Sequence, residues 1–325
     1  TTSCRKCRFE LFSESISNEL ANDIEEKAEQ RIVSYLTESH GSERRSTEDG
    51  VQTTFIDHTT SLHDLPSCSN TPLLDKIRWS YSLMCLTRKS GETATKPSTY
   101  NISEGEYDGS DIKLVPATYS MVMPNVRIFA AALSDFAKAA FPDFAQLNSA
   151  NKRMCIANSF HHVSMLDSTY RSAYQFPDDL DTYFASYTTI FNFDYLQSFL
   201  DDCPFETNAE EALEALAVSM RRMKTMNREV FHRVKPDDVE FLALLGLSFW
   251  NNEVAMVNEE LSIVTERNRA NILKEMHSVY ESRGKTDYAT RLGELFCLLD
   301  NAQENVNLTT QDIEVYRLLN IFNEF

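Results

Sequence analysis

The chain has 325 residues, 42% hydrophobic and 25% charged, enough for one large core or two modest ones and incompatible with wholesale disorder. Its formal net charge of −18 makes the chain as a whole a poor binder of polyanions, so any nucleic-acid contact needs a local basic feature or sequence outside it. There are eight glycines, where ordinary usage of about 7% would give nearly three times as many, and this favours helices over a sandwich or a doubly wound sheet.

The cysteines Cys4, Cys7, Cys68, Cys85, Cys155, Cys203 and Cys297 are odd in number and, after the first pair, widely spaced. Such usage points to reduced intracellular thiols, not to a disulfide framework. The longest apolar run, residues 241–250, is about half of the roughly 20 residues that a membrane helix needs, and no signal peptide is legible, so no membrane association is expected. The sequence opens on Thr1 without a methionine, and residues upstream are expected.

In chain order, residues 1–8 are basic and Cys-rich. Ile16, Leu20, Ile24, Ala28, Ile32 and Leu36 then recur every four positions among acidic residues, predicting an amphipathic helix over 14–38. Residues 39–72 read as a polar linker. Leu73, Ile77, Tyr81 and Met84 mark the next helix, and 88–116 reads as a polar loop. Val122, Val126, Phe129, Leu133 and Phe136 stripe a long helix, followed by one carrying Ile156, Phe160, Val163, Leu166 and Tyr170. Aromatic and Thr residues in 176–193, with a turn at Pro177-Asp178-Asp179, predict a two-stranded ribbon. Thr207 and Glu210 have capping-box spacing, and further helices are predicted over 237–251, 253–283, 287–303 and 312–325.

Phe136-Ala137-Lys138, then Phe141-Pro142-Asp143-Phe144, Leu147, Asn151, Lys152, Cys155 and Ile156, resembles the signature of the nuclear hormone receptor ligand-binding domain. Asn151-Lys152 stands where that signature has Asp-Gln, and one extra residue separates Lys138 from Phe144, which resembles a divergent, supplementary-type branch. Three more patches follow in family order: residues 168–172, Glu240 through Trp250-Asn251, and Arg291-Leu292 with Leu295, Phe296, Leu298 and Leu299. Cys4-Arg5-Lys6-Cys7-Arg8-Phe9 resembles the end of the family's second zinc module. The resemblance implies an all-α, three-layer helical sandwich with a small two-stranded ribbon over 73–325. A hinge over 13–72 and a zinc-module remnant over 1–12 would precede it.

The same resemblance supplies the candidate sites. Cys4 and Cys7 would be two of the four thiolates around a zinc ion, the other two lying upstream. Arg171 stands where relatives that bind fatty acids or retinoids present an arginine to the ligand carboxylate; pairing with an internal Asp or Glu is its alternative. Lys138 would cap the C-terminal end of a short leucine-rich coregulator helix, with Glu324 gripping the other end if 321–325 is the activation motif and not part of the preceding helix. Met220, Met223 and Met226 read as core before pocket wall.

The implied function is ligand-regulated or orphan transcription control in the nucleus. A small lipophilic ligand such as a fatty acid, coactivator or corepressor peptides, and a homo- or heterodimer mate are the implied partners, with DNA reached only through the intact upstream zinc module. The competing reading is a ligand-independent helical interaction scaffold. An enzyme is not expected, because no phosphate loop or nucleophile elbow occurs, and His161 and His162 point about 100° apart on a helix.

Overall fold

The computed structural model describes residues 71–96, 114–203, 209–285 and 287–318, all within the unit Phe55–Glu324. In order these form helix α1 (Pro72–Thr95), strand β1 (Val115–Pro116), and helices α2 (Tyr119–Ala140), α3 (Pro142–Gln146) and α4 (Ser149–Gln175). Strands β2 (Tyr183–Phe184) and β3 (Thr189–Phe191) and a 3-10 helix (Phe193–Leu200) follow. The second half holds α5 (Ala209–Arg222), a π-helical turn (Met223–Arg228), α6 (Glu229–Val234), α7 (Asp238–Phe249), α8 (Asn252–Ala255), α9 (Glu259–Ser282) and α10 (Ala289–Leu318). The helix expected over 14–38, Cys4, Cys7, Thr207 and Glu324 lie outside the described residues.

A helix that is apolar all round belongs in the middle of a domain, and α7 is buried at every position from Glu240 to Phe249. It starts at a capping box, where the Asp237 carboxylate accepts from the backbone of Val239 and Glu240 while Glu240 reaches back to the Asp237 N–H. α7 packs on α1, α4, α9 and α10, which puts it at the centre of the helical sandwich, and α9 also reaches α1, where Glu275 accepts from the Leu73 and Leu74 N–H groups. Gly246 makes the close approach possible, since a Cβ there would come within 2.8 Å of Ile272 Cδ1 and 3.0 Å of Ile77 Cδ1. The signature aromatics close the α2–α3 corner: Phe141 stacks on Phe249 at 5.4 Å and meets Trp250 edge-on at 5.5 Å, and Phe144 meets Phe249 at 5.6 Å.

The all-helical sandwich expected from the sequence is present, with four local corrections. The polar stretch read as a loop from residue 88 begins as helix: α1 continues to Thr95 because Arg88 and Glu92 keep the inward spacing of Ile77, Tyr81 and Met84, burying paired charges instead of apolar groups. The ribbon has a third strand, in order β1-β3-β2, with Val115 paired parallel to Thr189 and Tyr183 antiparallel to Phe191. Two residues are too few for a period-2 signal, and Pro116 is tolerated because β1 is an edge strand. The helix expected over 253–283 is broken between α8 and α9, where Asn258 caps Leu261 N. Finally, 287–303 and the described part of the helix expected over 312–325, residues 312–318, do not form separate helices: α10 runs without interruption through 304–311, where no Pro or Gly stops it and Asn305 and Val306 are buried.

Candidate functional site

Four charged side chains from α1 and α4 meet in the interior beneath the β2–β3 hairpin. Arg88 and Glu92 lie one helical turn apart on α1, as do Asp167 and Arg171 on α4, so each pair points inward from a single face. Arg88 Nη1 donates to Asp167 Oδ2 at 2.6 Å, and the Tyr81 hydroxyl donates to Asp167 Oδ1 at 2.7 Å. The Arg88 guanidinium also lies 4.4 Å from the centre of the Phe129 ring. Burial alone would raise the Asp167 carboxyl, but Arg88 and Arg171 outweigh it and hold the group below its ordinary range. Burial, reinforced by Asp167, pushes the neighbouring Cys85 thiol up to about 12, which leaves it protonated and inert.

The hairpin turn is held through its main chain. The Glu92 carboxylate accepts from the backbone of Tyr187 (3.0 Å) and Thr188 (2.8 Å) and from the Ser186 hydroxyl (2.7 Å). Arg171 does the converse, donating from Nη1 to the Ser186 carbonyl (3.2 Å) and from Nη2 to the Tyr187 carbonyl (2.8 Å). Its guanidinium lies 3.9 Å from the ring centres of both Phe184 and Tyr187 and 3.9 Å from Asp167 Oδ2. Arg171 is therefore buried, as the sequence reading required, and engaged by protein acceptors. Two arginines and two carboxylates together carry no net charge.

Lys138 sits in the last turn of α2, its side chain 35% exposed and 3.6 Å from Asp135 one turn back. Beneath it the Phe136, Phe141 and Phe249 rings fix the end of α2 against α7. Met220 is buried with Tyr183, Leu196, Phe199, Leu216 and Tyr316 in a second apolar cluster, and Met223 packs against it. Met226 is half-buried on the π turn. His162 is occupied structurally, with Nδ1 3.1 Å from the Asn158 carbonyl and Nε2 2.7 Å from Gln303 Oε1. His161 is half-buried, and burial together with His162 pushes it down to about 4.

A second polar lock joins α7 to α10. Arg291 donates to both Glu240 oxygens, at 2.9 and 2.6 Å, and to the carbonyls of Val234 and Lys235, while Tyr280 donates to Glu240 Oε1 at 2.7 Å. Lys235 has φ 47°, the left-handed turn that ends α6, so Arg291 closes the carbonyl end of that helix while neutralising the buried Glu240. Against its burial, Arg291, the Asp237 N–H and Tyr280 together hold the Glu240 carboxyl below its ordinary range.

The family model for the ligand-binding domain of nuclear hormone receptors matches residues 131–319, more than half of the chain and nearly all of α2 to α10. The chain belongs to the nuclear hormone receptor family. It is similar to three receptors of Caenorhabditis elegans. Identity to the high zinc activated nuclear receptor protein is 20% over 77% of this chain and 61% of that one. Against nuclear hormone receptor family member nhr-16 it is 22% over 80% of this chain and 66% of that one, and against member nhr-57 24% over 80% and 71%. The chain thus spans less than two thirds of the length of the first two. Within the receptor fold, the patches that carried the resemblance are structural: the aromatic corner of α2 and α3, Glu240 opening α7, and Arg291 on α10 all fix one helix to another.

The sequence reading missed Arg88, Glu92 and Asp167. The available signal was two opposite-charge pairs at i,i+4 spacing, each on the same face as an apolar stripe, and placing Arg88 at the start of a loop concealed the first of them. Among the described residues no group of three or more His, Cys, Asp or Glu is arranged to hold a metal ion.

Proposed function

We propose that this chain is the regulatory part of a nuclear transcription factor, whose helical domain takes a small lipophilic ligand and exchanges coregulator peptides on the face that carries Lys138. The observation that supports this reading most is the end of α2. A partly exposed lysine, 3.6 Å from Asp135, stands in the last turn of a helix whose end is held by interlocked aromatic rings, which gives a cationic group at fixed height on this corner. Such a charge complements the carbonyl end of a short docked helix. Glu324 is proposed to grip the other end of that helix. In a fluorescence-anisotropy titration with a leucine-rich coactivator peptide, Lys138→Ala is expected to weaken binding about two- to tenfold. Glu324→Ala should act in the same direction, and unchanged affinity in both variants would remove this face from the proposal.

Ligand response would follow from a population shift, in which a ligand that prefers one arrangement of the domain alters the affinity for the peptide. We place Arg171 at the ligand site as the residue that holds the hairpin; a direct ion pair with a ligand carboxylate would require it to release the Ser186 and Tyr187 carbonyls. Residues 73–325 would be the ligand-binding domain and 13–72 the hinge. In 1–12, Cys4 and Cys7 would ligate zinc together with two upstream thiolates, and DNA would be reached through that module alone. A homo- or heterodimer would form through α10, where Phe296 remains 36% exposed. Native mass spectrometry of the receptor extended upstream of Thr1 reads these points together: a co-purified lipid, a doubled mass, and zinc that Cys7→Ser reduces. A bare monomer without lipid would instead favour the ligand-independent scaffold.

A further inference from the structure

α9 holds two other helices by their starts. The Glu275 carboxylate accepts from the Leu73 N–H at 2.9 Å and the Leu74 N–H at 2.8 Å, which gives α1 the cap that the Thr71 side chain does not provide. Asp143, in the first turn of α3, accepts from Arg267 Nη1 at 3.3 Å and from Asn268 Nδ2 at 3.1 Å. Between these two attachments lies a half-open groove of about 450 Å³, within the size range of sites that bind ligands. Both of its walls are tied to α9, so the groove is formed before anything enters it.

Pro72, Leu73 and Pro142 give the groove apolar edges. Its floor is one face of α9, where Arg267, Asn271 and Lys274 follow at spacings of four and three. The Asp143 and Glu275 carboxylates are taken up by the attachments themselves. By contrast, the Asn271 amide and the Lys274 ammonium are exposed and make no hydrogen bond or ion pair among the described residues, and the Arg267 side chain is 55% exposed. What the groove offers an occupant is thus apolar edges, one amide and positive charge. A short extended segment with apolar side chains and a carboxylate matches all three.

The chain carries such a segment beside the groove. Residues 55–70 fall within the unit Phe55–Glu324 and outside the described residues. They hold Phe55, Ile56, Leu62, Leu65 and Pro66 with Asp57 and Asp64 and no Lys or Arg, whereas 39–54 contain Arg44, Arg45 and a single apolar side chain, Val51. The segment joins α1 at Thr71, which is 4% exposed, so its point of attachment is fixed at the groove's edge. From Leu65 to Pro72 the chain can reach up to about 23 Å, and the α9 floor from Arg267 to Glu275 is only about 12 Å long. We propose that residues 55–70 dock in this groove, Asp64 facing Lys274 and Arg267, with Leu62, Leu65 and Pro66 along Pro72 and Pro142. A modest contact suffices, because a segment joined directly to its site is present at millimolar effective concentration. Docking bridges α1 to α3 whether or not a ligand is bound, and it shortens by sixteen residues the tether between the helical domain and anything upstream.

The test maps carbodiimide cross-links and hydrogen exchange in the full chain by mass spectrometry. Carbodiimide joins a carboxylate to an amine only where the two touch, so the monomer should yield a link from Asp64 to Lys274. Residues 55–70 should exchange about tenfold more slowly than 39–54, each measured against its intrinsic rate. Lys274→Glu should remove that protection, and adding Asp64→Lys to it should restore it. Exchange in α7 should be alike in all variants, which separates loss of docking from loss of fold. Equal exchange of 55–70 and 39–54 in the wild type, or the absence of any link from 55–70 to α9, overturns the proposal and leaves the groove to another occupant. Protection that survives Lys274→Glu also overturns it, since the segment is then held elsewhere. A link confined to the dimer, with protection that fades on dilution, assigns the groove to a second copy and overturns it as well.

Discussion

Asp167→Ala is expected to lower the unfolding free energy by about 3–5 kcal/mol, the usual consequence of deleting one member of a buried ion pair and leaving its mate uncompensated. Asp167 accepts from Arg88 and Tyr81 and lies 3.9 Å from Arg171, so its removal takes the acceptor from Arg88 Nη1 and from the Tyr81 hydroxyl and leaves two buried arginines facing the single carboxylate of Glu92. The loss should exceed that of Tyr81→Phe, which removes a single donor and costs about 0.5–1.5 kcal/mol if Asp167 remains paired. Urea unfolding with an unchanged slope would measure both. A loss below about 1 kcal/mol for Asp167→Ala would mean that the α1–α4 junction does not depend on this carboxylate.

Glu240→Ala should come next, at about 2–4 kcal/mol, because it removes half of the capping box of α7 together with the charged acceptor of Tyr280 and Arg291. The effect is pH-dependent with a definite sign. Glu240 and Asp167 are both depressed below their ordinary ranges, so the unfolded chain takes up their protons first as the solution is acidified. The stabilisation is complete at neutral pH and is lost as pH falls from the unfolded-state values of about 4 toward the lower native ones. Plotted against pH between about 5 and 3, the stability of Glu240→Ala should fall less steeply than that of the wild type. Parallel curves would show that Glu240 titrates alike in both states.

The helical class and the family were legible because they rest on features that a linear sequence carries: apolar spacing, the scarcity of glycine, and four patches in a fixed order. The limits of the elements were less so. α1 runs on through Arg88 and Glu92 because buried charges, paired across 79 residues with Asp167 and across 95 with Tyr187, took the place of the apolar residues that a periodicity argument counts. β1 was invisible for a related reason, since its two residues are strand only by virtue of β3. At the site, Arg171 could be singled out by resemblance, but its engagement with the Ser186 and Tyr187 carbonyls depends on how the hairpin folds back, which spacing does not encode.

The grip on the hairpin has one further consequence, for how freely the turn can vary. Glu92 and Arg171 hold residues 186–188 chiefly by peptide N–H and C=O groups, which every amino acid supplies except proline with its missing N–H. The identities of the turn residues are thus largely uncoupled from its position, whereas Glu92 and Arg171 admit no substitute of the same reach and charge geometry. The tip of this hairpin can therefore change in sequence while its placement stays under the control of two residues on other elements.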